Sequence, residues 1–96
     1  MKIYISGQMT GLPKLNKERF DEIEMILTSK GYDVVNPHKI IFEDGKEHSY
    51  MDYIRKDICE LIYCDRIFMM TGWENSKGAK IEHSIAIILG IKVIYE

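Results

Sequence analysis

Cysteine, proline and tryptophan are scarce in this chain of 96 residues: two, two and one respectively. Cys59 and Cys64 lie five apart on one predicted helix. That spacing puts them on different faces, without metal or redox geometry, so reduced thiols in a cytoplasmic protein are expected. His38, His48 and His83 share no metal-ligand spacing either, and His83 points away from its neighbour Glu82. Neither a metal nor a cofactor is expected. A net charge of −2 gives no basic face for a nucleic-acid polymer. The local cluster Lys14, Lys17 and Arg19 is followed at once by Asp21, Glu22 and Glu24, as on a solvated helix. Long apolar runs are missing too. The greasiest stretch, residues 81–94, is broken by Glu82, His83, Gly90 and Lys92, so no membrane span is expected. The run Ile3-Tyr4-Ile5 is too short for a signal-peptide core. With no repeat, linker or low-complexity segment, residues 1–96 are expected to form a single domain.

What is present is ordinary globular composition, 46% hydrophobic and 29% charged, arranged in alternating periods. Residues 2–6 read as a first strand that stops at Gly7. A loop with Gly7, Gly11 and Pro13 follows, and its glycines would let the backbone approach a ligand. Asn16 is placed to cap a helix carrying Phe20, Ile23, Ile26 and Leu27 on one side, ended by Gly31. Residues 32–36 form the second strand, closed by Pro37. Residues 38–48 are irregular, with a turn at Asp44-Gly45 and no functional assignment. Ser49 and Asp52 resemble a weakened capping box, opening a helix with Met51, Ile54, Ile58, Leu61 and Ile62 inward. Residues 66–70 and 92–95 are the third and fourth strands.

Strands alternating with helices predict a flavodoxin-like or Rossmann-like three-layer α/β domain with a four-stranded parallel sheet. Ligands in such sheets sit beyond the carboxyl ends of the strands. Those ends here are Ser6-Gly7-Gln8, Asn36-Pro37 and Thr71-Gly72-Trp73. The stretch from Thr71 to Glu82 therefore falls on the functional edge, leading into a helix that reads to Leu89.

Within that helix Glu82 shares an apolar stripe with Gly78, Ala79, Ile85, Ala86 and Leu89. A carboxylate there must be paired, solvated by a cleft, or used. The plain alternative is a Glu at the stripe boundary that reaches water, Lys80 or Arg66. Asp57 reads as a surface helix acid beside Arg55 and Lys56, or as a second acid of the same site. Ser76 is an N-cap and can also be an anion ligand with the amides of Lys77, Gly78 and Ala79. Tyr4 packs in the core or aims its hydroxyl at Glu82. Trp73, in a loop, covers the sheet end or stacks on a planar ligand.

These residues carry a resemblance. Ile3-Tyr4-Ile5-Ser6-Gly7-Gln8-Met9 resembles the opening strand and loop of the nucleoside 2-deoxyribosyltransferase-like superfamily. The segment from Asp57 to Asp65, followed by Arg66 to Met70, is similar to its helix-then-strand unit. Ser76-Lys77-Gly78-Ala79-Lys80-Ile81-Glu82 resembles its nucleophile-bearing segment, and the match spans the whole chain. It implies glycosidic chemistry at a nucleoside, with Glu82 as nucleophile at the anomeric carbon. It likewise implies Asp57 as the acid at the leaving base and Tyr4 as the hydroxyl that orients the nucleophile. Gly7, Gln8, Ser76, Lys77 and Gly78 would hold sugar or phosphate, and Met9 and Trp73 the base.

Two departures shape the expectation. Transferases acting on free nucleosides carry an acid six residues before the nucleophile; here Ser76 stands there, as in the similar 2′-deoxynucleoside 5′-phosphate N-hydrolases. A hydroxyl at a helix start donates to a phosphate that an acid would repel, which favours a nucleoside 5′-monophosphate. The transferases also continue past their last strand, whereas this sequence runs to Glu96. Ile81, Ile85, Ile87 and Ile88 leave the last helix apolar on more than one side, so a homo-oligomer, a dimer or higher, is expected through it. The leading expectation is an N-glycosidase or deoxyribosyltransferase. The alternatives are a non-catalytic nucleotide-binding module and a structural homo-oligomer with a vestigial pocket.

Overall fold

The first strand, β1 (Lys2–Ser6), pairs on both sides, so the sheet is built around it. A computed structural model describes residues 1–96 and gives the order β1, α1 (Lys17–Ser29), β2 (Asp33–Val35), α2 (Tyr50–Leu61), β3 (Arg66–Met69), α3 (Lys77–Leu89) and β4 (Lys92–Tyr95). All four strands are parallel, in the spatial order β2-β1-β3-β4. Tyr4 pairs with Val35 on one side and Ile67 on the other, and Ser6 pairs with Met69. The chain moves from β1 outward to β2, then crosses back past β1 to β3. Strand order thus reverses between β1 and β3, where a parallel sheet opens a crevice at its carboxyl edge.

Side-chain alternation along β1 divides the core into two layers. Ile3 and Ile5 face α1 and pack with Phe20, Ile23 and Leu27. Tyr4 faces the opposite layer, with Leu61 at the end of α2, Cys64 in the turn that follows it, Ile67 and Met69 of β3, and Ala79 and Ala86 of α3. The predicted three-layer α/β architecture is the one observed.

Local chemistry accounts for the helix ends. Both halves of the capping box at α2 are made: Ser49 Oγ accepts from the Asp52 amide at 3.1 Å, and the Ser49 amide donates to Asp52 Oδ2 at 3.2 Å. Gly31 and Gly90 follow α1 and α3 with φ of +92° and +72°, the left-handed turn that ends a helix. Asn16 does not cap α1 as expected. It is itself left-handed (φ 62°), and its Nδ2 donates to the Gln8 carbonyl at 3.1 Å, tying the loop after β1 to the helix start.

Four residues expected on inner faces are outside. Ile26, Met51, Ile62 and Leu89 are exposed, because each helix meets its sheet face along a narrower stripe than its apolar surface. The strands at residues 33–35 and 66–69 are also shorter than expected. Asn36 leaves β2 so that its side chain can accept from the His38 amide, starting a 3-10 turn at Pro37–Lys39. No helix is long and apolar enough to cross a membrane.

Candidate active site

Glu82 is brought to the sheet by small neighbours. Gly78, Ala79 and Ala86 on the same face of α3 are buried, which lets the helix lie close to β1. Ser76 fixes where α3 begins, its Oγ accepting from the Ala79 amide at 3.1 Å. Tyr4 and Ser6 are two residues apart on β1 and so project to the same side. Both reach Glu82. The Tyr4 hydroxyl donates to Oε2 at 2.5 Å, and the Ser6 hydroxyl donates to Oε1 at 2.7 Å.

Glu82 is 5% exposed. Burial pushes its pKa up to about 7, against the two hydroxyl bonds, which favour the ionised form. Burial also raises the Tyr4 phenol well above its ordinary range, reinforced by the charge of Glu82. Tyr4 therefore stays protonated and acts as a donor.

Asp57, half-buried on α2, faces the same space. Its pKa rises to about 7 through burial first, then the charges of Glu82 and Glu60. No hydrogen bond opposes that rise. The two acids consequently differ: Glu82 has donors that support its charge, and Asp57 has none. With both carboxyls raised to about 7, the two acids titrate together near neutrality.

Between them lies a cavity of 510 Å³, a size suited to a small organic ligand. Tyr4, Thr10, His38, Asp57, Ser76 and Glu82 supply its polar groups. Met9, Leu15, Phe20, Ile40, Ile41, Tyr50, Tyr53 and Ile54 supply apolar and aromatic walls. No lysine or arginine lines it.

Of the residues expected from the sequence, Tyr4, Gly7, Met9, Asp57, Ser76, Gly78 and Glu82 line this cavity. Gln8, Lys77 and Trp73 do not. Gln8 is spent on its own loop, its Nε2 donating to the Thr10 carbonyl at 3.2 Å. Lys77 is exposed at the first position of α3. Trp73 stacks on His83 of α3 with ring centroids 4.4 Å apart, following a turn in which Gly72 has φ +89°.

Gly7 and Gly78 have packing reasons for lacking a side chain. A Cβ on Gly7 would lie 2.8 Å from Met70 Sδ, and one on Gly78 would lie 2.9 Å from Ile54 Cδ1 and 3.0 Å from the Tyr50 hydroxyl. Ser6 was not among the residues singled out, although its i, i+2 relation to Tyr4 was the available signal. Tyr50, Tyr53, Ile40 and Ile41 were also missed as cavity walls, since they belong to the irregular segment and to exposed positions of α2.

Several solved structures share the fold. A 2-deoxyribosyltransferase from the psychrotolerant bacterium Bacillus psychrosaccharolyticus superposes with a TM-score of 0.75 at 21% identity, over 99% of this chain and 71% of that one. A 2-deoxyribosyltransferase from Leishmania mexicana gives 0.74 at 19% identity, over 98% and 62%. A conserved protein from Enterococcus faecalis gives 0.72 at 17%, over 99% and 62%. The chain thus spans less than two thirds of the length of the latter two. No curated protein matches the sequence. At these identities the likeness establishes a nucleoside 2-deoxyribosyltransferase-like fold. A family profile matches residues 1–95, and the chain therefore belongs to the family described as a domain of unknown function, DUF4406.

Proposed function

We propose that this protein cleaves or transfers the N-glycosidic bond of a deoxynucleoside 5′-monophosphate through a covalent glycosyl-Glu82 intermediate. The observation that carries the reading is a buried Glu82, held by the hydroxyls of Tyr4 and Ser6, that shares one largely apolar cavity with a second acid, Asp57. Glu82 Oε2 attacks the anomeric carbon C1′, and the C1′–N bond breaks with its electron pair passing to the base. The base takes the proton of Asp57 as it leaves. Water then attacks C1′, the C1′–Oε2 pair returns to Glu82, and Asp57 recovers a proton from the water. With a second base as acceptor in place of water, the outcome is transfer. Tyr4 orients Glu82 from the cavity wall.

The two transferases among the structural neighbours support sugar-to-base chemistry in this fold. The apolar walls suit a planar base. The Ser76 hydroxyl, at the start of α3 where the first helical amides lack intrahelical partners, suits a 5′-phosphate. With no lysine or arginine on the cavity wall, the phosphate contributes modestly to binding. The same proposal includes self-association of a single-domain protein through α3, whose Ile87, Ile88 and Leu89 are exposed.

The test is incubation with a panel of deoxynucleosides and their 5′-monophosphates, with free base measured by chromatography. Base release that Glu82→Gln abolishes while binding survives supports the reading. A ligand-dependent rise in melting temperature without base release would instead identify a binding module. No shift with any nucleotide would leave a structural homo-oligomer.

A further inference from the structure

We infer that Ser6 is a positioning residue that holds Glu82 in its ionised form from behind and takes up its charge when the sugar departs. The inference rests on the glycosidase reading for its chemical consequence, and on the fold alone for the contact. Ser6 is 0% exposed and does not line the cavity, whereas Tyr4 and Glu82 do. Tyr4 is also 0% exposed, but it lines the cavity, so Oε2 is held by a side chain of the cavity wall. The other oxygen, Oε1, is held by Ser6, a buried residue outside the cavity lining.

This geometry gives the two carboxylate oxygens different work. When Oε2 forms its bond to C1′, the Glu82 carboxylate becomes an ester and Oε1 becomes its carbonyl oxygen. In the second step the C1′–Oε2 bond breaks, and its pair spreads over both oxygens of the departing carboxylate. Charge therefore returns to Oε1, where the Ser6 hydroxyl already points. A preorganised donor aimed at developing charge in a dry site stabilises that step. Ser6 is fully buried, so its hydroxyl is held at Oε1 by the packing of β1 against α3. Tyr4 acts on the opposite oxygen, so the two hydroxyls are not redundant.

The experiment compares wild type, Ser6→Ala and Ser6→Cys; the last retains the side-chain size with a weaker donor. The first readout needs no turnover: the Glu82 carboxyl is titrated by carbon-13 NMR, with Glu82→Gln identifying its signal. Removal of one charge-assisted donor should move the midpoint up by about one pH unit in Ser6→Ala, and by less in Ser6→Cys. The second readout is the time course of base release. Ser6→Ala should show a burst followed by a steady rate at least about 10-fold slower than wild type, with a glycosyl adduct visible in the intact mass.

An unmoved midpoint in both variants overturns the inference, as does a slowed rate with no burst and no adduct. A failure of Ser6→Ala to fold leaves the decision to Ser6→Cys, whose midpoint must rise. If the midpoint rises but wild type releases no base from any substrate, the glycosidase reading falls. The hold of Ser6 on the Glu82 charge then stands by itself.

Discussion

Asp57 and Glu82 face one cavity from two different helices, and burial raises both carboxyls to about 7. Only Glu82 receives hydroxyl donors, and only Asp57 is raised further by its partner's charge. The site is thus disposed to carry one proton between two acids at neutral pH, the arrangement that nucleophile-and-acid chemistry requires.

The first prediction is a narrow bell in the pH dependence of base release. Activity needs Glu82 ionised, so it falls as pH drops through the Glu82 transition. It also needs Asp57 protonated, so it falls as pH rises through the Asp57 transition. With both near 7, the optimum is close to neutrality. Asp57→Asn should flatten the alkaline limb and slow base release by about 10²- to 10⁴-fold. An optimum below pH 5 or above pH 9 would contradict the assignment.

Glu82 should cost the fold stability at alkaline pH. Its carboxyl has a folded pKa of about 7 against 4.5 ordinarily, so between those values the folded state binds more protons than the unfolded state. Stability therefore falls as pH rises through that window. Glu82→Gln, which cannot ionise, should leave the melting temperature near wild type at pH 4.5 and raise it at pH 8. The gain is at most about 3 kcal/mol. Melting curves at the two pH values check both the sign and the window.

Ser76 separates a cap from a ligand. Ser76→Ala removes the bond to the Ala79 amide and should cost about 1 kcal/mol. Ser76→Asp preserves a cap and places a negative charge at the cavity wall. Its melting temperature should stay near wild type, while turnover of 5′-monophosphates falls at least about 10-fold relative to free deoxynucleosides. Equal losses on the two substrate series would remove Ser76 from phosphate recognition.

Gly7→Ala should destabilise the fold by about 1–3 kcal/mol, because the new methyl meets Met70 Cβ at 2.9 Å as well as its Sδ at 2.8 Å. Met70→Ala in the same chain removes the Sδ and Cγ contacts but keeps Cβ, so it should relieve only part of the clash. Chemical denaturation of the two single variants and the double variant measures the coupling.

Ile88 is 80% exposed at the centre of the apolar outer face of α3. Ile88→Lys should convert an oligomer to a monomer in light scattering. A wild-type protein that is already monomeric at high concentration would remove the self-association proposal.

Periodicity, caps and glycines made the order of elements readable from the sequence alone. The α2 capping box, the glycine after α1 and the β-branched strands are local devices whose partners lie within a few residues. Glu82 was legible for a related reason. A carboxylate among Gly78, Ala79 and Ala86 conflicts with its own helical stripe, and the conflict is visible without any tertiary contact. Helix stripes were read too broadly at Ile26, Met51 and Leu89, since propensity says which side is apolar but not how much the sheet covers.

What only the tertiary structure decided is which side chains converge. The Ser6–Glu82 bond joins residues 76 apart, and the Tyr4–Glu82 bond joins residues 78 apart. Both depend on β1 lying beside β3 and on α3 packing against that face, neither of which is encoded within any local window. Trp73 stacks on His83, a residue of α3, so its partner too was set by packing beyond its own loop. The sequence alone determined that one acid on α3 needed an explanation; the strand order supplied its two hydroxyls, its neighbour Asp57 and the cavity in front of them.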